Sequence, residues 1–274
     1  MFKTFGRTLE LIKLSWGVLQ SDRKLIAFPL LSGFAFFAFA GLMTGIGSQI
    51  GLLGRLESEA GLAPSDIGVL GITYFGLAFV IIYFNAALAG AAMVRLAGGQ
   101  PTMGEGFQMA NRRLPQIAGW ALIAATVGLI LQVARSRSRD NFLGQLVLSM
   151  IGGVWAYITF FVVPVLVAEN LGPIAAIRRS GSLFKRTWGE QMVANFGFGL
   201  VGLVAVIAAV VPAMLIAQVS VVAGIVVGVV TVGFAVATVS TLETIFKAAL
   251  YGYVADGRVA EGFTQDALSG AYGN

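Results

Sequence analysis

An acid inside a long apolar run is the residue of this chain best placed to do chemistry, and Glu243 is the only acid well within one. Lys247 follows four residues later. On a helix that spacing puts both side chains on one face, in the order that favours pairing. The pattern favours a structural ion pair over a substrate or ion site, because each charge relieves the other of an uncompensated position in the bilayer. Asn85 is the second candidate: it sits mid-run between Phe84 and an alanine-rich stretch, so its amide needs a partner on another helix or in a polar cavity. Packing is the favoured role there too. Gln132 and Asn195 are the other polar side chains set within apolar runs.

Enzymatic chemistry has little to draw on. The sequence has no cysteine and no histidine, which removes thiolate nucleophiles, the commonest zinc ligand and the side chain that titrates near neutrality. Serines and threonines have no activating neighbour, and Gly45-Ile-Gly47 and Gly197-Phe-Gly199 follow no strand that would make them nucleotide-binding loops. The expectation is a non-enzyme with no catalytic residues, no metal site and no cofactor.

The elements that must position these residues follow from composition. A water-soluble domain is roughly 45–50% apolar and about 25% charged. This chain is 57% hydrophobic and 11% charged, with a mean hydropathy of +0.86. Apolar runs near 25–46, 67–96, 115–133, 142–168, 191–218 and 220–254 predict an all-α integral membrane protein with about six transmembrane helices. The last run would be about 50 Å long at about 1.5 Å per residue, so its polar end from Thr241 is expected to project into the interface or bend there. No secretory signal pattern precedes Leu25, so the N-terminus is expected to be retained.

Orientation follows from the 18 basic residues. Arg55, Arg135, Arg137 and Arg139 fall on one side of the predicted spans and the others on the opposite side. The richer side is expected to be the cytoplasmic face of the inner membrane, with both termini there. Basic loops of this kind also account for a net charge of +5 without nucleic acid as a partner. The arginine trio is unusual in a translocated loop, and Glu57, Glu59 and Asp66 of the preceding outer loop are candidate partners for it.

Two amphipathic segments precede spans. In the first, Phe2, Phe5, Leu9, Ile12, Trp16 and Leu19 recur at helical spacing with Lys3, Arg7 and Lys13 off the stripe. In the second, Ile174, Ile177, Gly181, Phe184 and Trp188 form the stripe, and Arg178, Arg179, Lys185 and Arg186 flank it. Both read as interfacial helices, with Trp16, Lys13, Lys185, Arg186 and Trp188 the residues expected to meet lipid and anionic headgroups. Leu11-Ile-Lys-Leu-Ser-Trp-Gly17 reappears as Leu183-Phe-Lys-Arg-Thr-Trp-Gly189, and a weaker relative surrounds Met103 to Leu114. Within one transmembrane domain, 1–256, three parallel units at 1–97, 98–169 and 170–256 are therefore expected, followed by a short segment, 257–274. That segment (GRVAEGFTQDALSGAY) is similar to the start of the second unit (GQPTMGEGFQMA). Gly41 with Gly45 and Gly224 with Gly228 have the spacing for close helix approach, read as intramolecular packing before contact between protomers.

Three segments carry a family resemblance: Phe28-Pro-Leu-Leu-Ser-Gly33, Ser180-Gly-Ser-Leu-Phe-Lys-Arg-Thr-Trp-Gly-Glu190, and Ala248-Ala-Leu-Tyr-Gly-Tyr253 followed by Glu261-Gly-Phe263. They resemble a prokaryotic membrane family, domain of unknown function 6159, over nearly the whole chain. The resemblance implies a membrane topology and carries no activity, substrate or cofactor. The residues favour a non-catalytic scaffold or accessory subunit engaging anionic lipid, alone, as a homo-oligomer or with another membrane protein. A channel or carrier for a small solute or lipid is the alternative.

Overall fold

The computed structural model describes residues 2–57, 63–138, 141–187 and 194–272, and the described residues are helical and turn throughout. In chain order the α-helices are α1 (Phe2–Ser21), α2 (Ala27–Gln49), α3 (Leu52–Glu57), α4 (Pro64–Leu96), α5 (Met103–Asn111), α6 (Leu114–Arg137), α7 (Phe142–Ile158), α8 (Val162–Glu169), α9 (Pro173–Thr187), α10 (Ala194–Ala217), α11 (Val221–Asp256) and α12 (Gln265–Tyr272). A 3₁₀ turn, Arg23–Ile26, joins α1 to α2.

Six segments are long and apolar enough to cross a membrane: Arg23–Gln49, Pro64–Leu96, Leu114–Arg137, Phe142–Glu169, Phe198–Ala217 and Val221–Asp256. They match the six spans expected from the sequence. Some helix ends carry recognisable caps. Ser220 Oγ accepts the Ala223 N–H at the start of α11, and Gly257 ends that helix in the left-handed conformation. Thr102 and Glu105 form a reciprocal capping box on α5.

Burial divides the bundle into two zones. The buried core gathers where α2 begins, α4 ends, α6 begins and α11 ends, and the short helices α1, α5, α8, α9 and α12 pack into it. Ala86-Ala-Leu-Ala-Gly-Ala-Ala92 of α4 is buried throughout. A side chain at Gly106 would collide with the Ala87 carbonyl and the Phe28 ring, so glycine there is what lets α5 lie on α4. Both terminal segments belong to this zone, with α12 packed on α1 and the Glu261 N–H donating to the Leu96 carbonyl at 2.9 Å. Away from it, large apolar side chains stand open, Phe142 at 80% and Val219 at 91% exposed. A surface of this kind suits contact with acyl chains.

Several expectations change on folding. Of the two expectations for the polar end of α11, the bend is absent: the helix runs unbroken to Asp256, and Thr241, Leu242, Ile245, Phe246 and Ala248–Tyr251 are buried in the core. The fourth span is broken instead, between Ile158 and Val162. Pro164 has no N–H to give the Phe160 carbonyl, and its ring crowds that carbonyl, which favours a break there. The Phe161 N–H freed by the break donates to Ser180 Oγ at 2.9 Å.

Asp66, one of the candidate partners for the arginine trio, is instead fully buried and bound bidentately by Arg55 at 2.6 and 2.7 Å, because both residues sit at the α3–α4 junction. Arg139 and Glu59 lie outside the described residues. Gly224 and Gly228 pack on Ala217 and Ala213 of α10, as intramolecular contacts, whereas Gly41 and Gly45 face open space and hold no helix pair together.

Candidate functional site

Position along α11 sets what the polar residues meet. From Val221 to Leu242 the helix carries no charge, and at about 1.5 Å per residue that stretch is about 33 Å long, close to the roughly 30 Å hydrocarbon core. With that stretch across the hydrocarbon, Glu243 and Lys247 stand at headgroup depth on the side of the packed zone.

The three intramembrane candidates come together. Val229, Gly233, Val236, Ser240, Glu243 and Lys247 recur at spacings of three and four and share one face of α11, while Ile81, Asn85 and Ala89 share one face of α4. Between the two stripes lie two cavities. One, about 610 Å³, is closed on the third side by Pro29, Ser32, Gly33, Phe36 and Phe37 of α2. The other, about 410 Å³, contains Glu243, Thr244 and Lys247 of α11 and is completed by Ala156, Thr159, Phe160, Val163 and Pro164 at the break between α7 and α8. Asn85 lines both cavities.

Lys247 Nζ lies 2.6 Å from Glu243 Oε1 and 5.1 Å above the centre of the Phe160 ring. Their side chains are 28% and 41% exposed, so the pair is not deeply buried and each charge can still meet a ligand. The hydroxyls of Thr159 and Thr244 donate to their own helix carbonyls at Trp155 and Ser240. The Asn85 amide makes no hydrogen bond among the described residues. Gln132 lies elsewhere, in a cleft between α6 and α7 with Arg135 and Gln145.

The amphipathic helices dock on the bundle rather than resting on it. In α1 the buried face is Leu11, Ser15, Val18 and Leu19; Leu9, Lys13 and Trp16 point outward, and Ile12 is half-buried. The expected stripe is thus split, because the small Ser15 allows close approach where a bulky residue does not. In α9, Ala176, Ser180 and Leu183 face inward, while Ile174, Arg178 and Lys185 are exposed. The side chain of Arg186 and the whole of Trp188 lie outside the described residues.

A polar cluster that sequence reasoning missed ties the packed zone together. Glu169 accepts hydrogen bonds from Arg179 Nε at 3.0 Å and from the Tyr251 hydroxyl at 2.8 Å, joining α8, α9 and α11. Its signal was faint: an acid at the end of an apolar run and an arginine ten residues on.

A family model described as a family of unknown function (DUF6159) matches residues 65–263. The match starts at the beginning of α4, so the resemblance at Phe28–Gly33 lies outside it and those at Ser180–Glu190 and Ala248–Phe263 lie within it. No curated protein and no solved structure matches the chain. With most of its length matched, and with six apolar helices to place it in a membrane, the chain belongs to this family of unknown function.

Proposed function

We propose that the protein is a non-catalytic membrane scaffold or accessory subunit that engages anionic lipid headgroups through α1 and α9. The observation that carries this reading is the two-sided placement of those helices. Each is anchored by one face in the core and turns basic residues outward, Lys13 beside Leu9 and Trp16 on α1, Arg178 one turn from Ile174 and Lys185 farther along on α9. An apolar residue flanked by lysine and tryptophan on an exposed helix face suits the boundary between acyl chains and headgroups. Placing this end of the bundle on the cytoplasmic side of the inner membrane agrees with the excess of basic residues there. The parallel-repeat reading draws support from the burial pattern of α1 and α9. At positions 172 residues apart, Leu11 and Leu183 are buried, Ile12 and Phe184 half-buried, and Lys13 and Lys185 exposed. A helix precedes each successive pair of spans, α1, α5 and α9, with α3 inserted in the first pair and α8 continuing the fourth span.

Reconstitution in phosphatidylcholine vesicles with spin-labelled phosphatidylglycerol tests the reading. The native chain should restrict the anionic probe more than a phosphatidylcholine probe, and the triple variant K13E/R178E/K185E should remove the difference. Equal restriction of both probes by the native chain would sink the proposal. The carrier alternative draws support from the cavities at Asn85, but the larger one is lined almost wholly by apolar side chains and offers an ion no continuous polar path.

A further inference from the structure

The groove between α4 and α11 has the chemical order of a phospholipid, and we propose that it binds one glycerophospholipid with a zwitterionic phosphate–ammonium headgroup. This goes beyond surface attraction of anionic lipid by α1 and α9, since it concerns a single molecule held between helices. The apolar cavity lies at hydrocarbon depth and opens sideways past Phe37 and Val229, both more than half exposed, so an acyl chain can enter from the bilayer. Its volume of about 610 Å³ and the 410 Å³ of the polar cavity each fall within the roughly 300–1,000 Å³ of ligand sites. Side chains added at Gly33 or Gly233 would meet nothing within 4 Å, which marks the space as unfilled by protein.

Where the two cavities share Asn85, the polar end begins. An amide at this depth with no partner among the described residues can take one from elsewhere, and the ester and phosphate oxygens of a lipid supply acceptors for it. Beyond it, Glu243 and Lys247 offer one negative and one positive group side by side, and Pro164 leaves the Phe160 carbonyl without its helical donor. A headgroup phosphate pairs with Lys247 and its ammonium with Glu243 and that carbonyl. The pair sums to zero charge, so a net-anionic headgroup would meet Lys247 only at the expense of facing Glu243. Zwitterionic lipid is selected for that reason.

Native mass spectrometry of the full chain, extracted in mild detergent from vesicles of equal phosphatidylethanolamine and phosphatidylglycerol, tests this directly. One phosphatidylethanolamine should be retained per chain. N85L/E243Q should lower its retention about tenfold, equivalent to about 1.4 kcal/mol. G33L/G233L, which fills the tail cavity without touching a polar group, should do the same and keeps the test open if the first variant does not fold. Phosphatidylglycerol retention that falls in G33L/G233L as much as phosphatidylethanolamine retention does, or unchanged phosphatidylethanolamine in a folded G33L/G233L variant, would overturn the proposal.

Discussion

The two ends of α4 are made of different side chains, and the bundle packs accordingly. Toward Leu96 it reads Ala86-Ala-Leu-Ala-Gly-Ala-Ala92, all buried; toward Pro64 it carries Ile67, Leu70, Ile72 and Tyr74, all exposed. Helix α11 repeats the contrast, with Thr241–Tyr251 largely inside the core and Val222, Ile225, Val226, Val229 and Val230 outside it. Lipid is as apolar as leucine, so helices in a bilayer gain little by hiding bulky side chains from it and associate where small residues let backbones approach. The packed zone is where this chain can gain stability from its own contacts. The open zone has the composition that lipid solvates well.

Substitutions on either side of that divide should separate sharply. Phe246, fully buried and stacked on Phe198 with ring centres 5.2 Å apart, should cost about 3–5 kcal/mol on replacement by alanine. Met214→Ala, in the open zone, should stay within about 0.5 kcal/mol. Unfolding of both variants in mild detergent measures the difference, and equal losses would mean the divide is not energetic.

A smaller effect is expected at the break in the fourth span. Ser180→Ala removes the acceptor for the Phe161 N–H and should destabilise by about 1–3 kcal/mol, while Ser180→Thr should keep part of the bond. Gly224→Leu tests the exception within the open zone: its side chain would collide with Ala217, costing about 1–3 kcal/mol, whereas Gly41→Leu meets open space and should be neutral. Glu243→Gln should be milder than the Ser180 and Gly224 changes. The pair is partly exposed, so thermal stability should fall by less than about 1 kcal/mol, even though lipid retention should change markedly.

The sequence made the six spans legible because hydropathy reports burial in lipid directly. It could not show the break at Thr159–Phe161, since the run there is uniformly apolar; Pro164 was the one residue that carried the information. The inward faces of α1 and α9 were hidden for a related reason. They are built on Ser15, Ala176 and Ser180, whose value is smallness, and a search for bulky apolar stripes passes over them. Asn85, Glu243 and Lys247 were each visible as polar residues in apolar surroundings, but their convergence depends on how α4 and α11 face one another, which no local pattern encodes.

Both lipid proposals require the packed zone to begin at headgroup depth, and a depth profile along α11 measures this most directly. The native chain has no cysteine, so single spin labels at Val226, Phe234, Glu243 and Asp256 report without background. In reconstituted vesicles, collision with oxygen should dominate at 226 and 234, balance collision with a water-soluble nickel chelate near 243, and give way to it at 256. Oxygen-dominated collision continuing from 243 to 256 would put Lys247 inside the hydrocarbon and contradict the account.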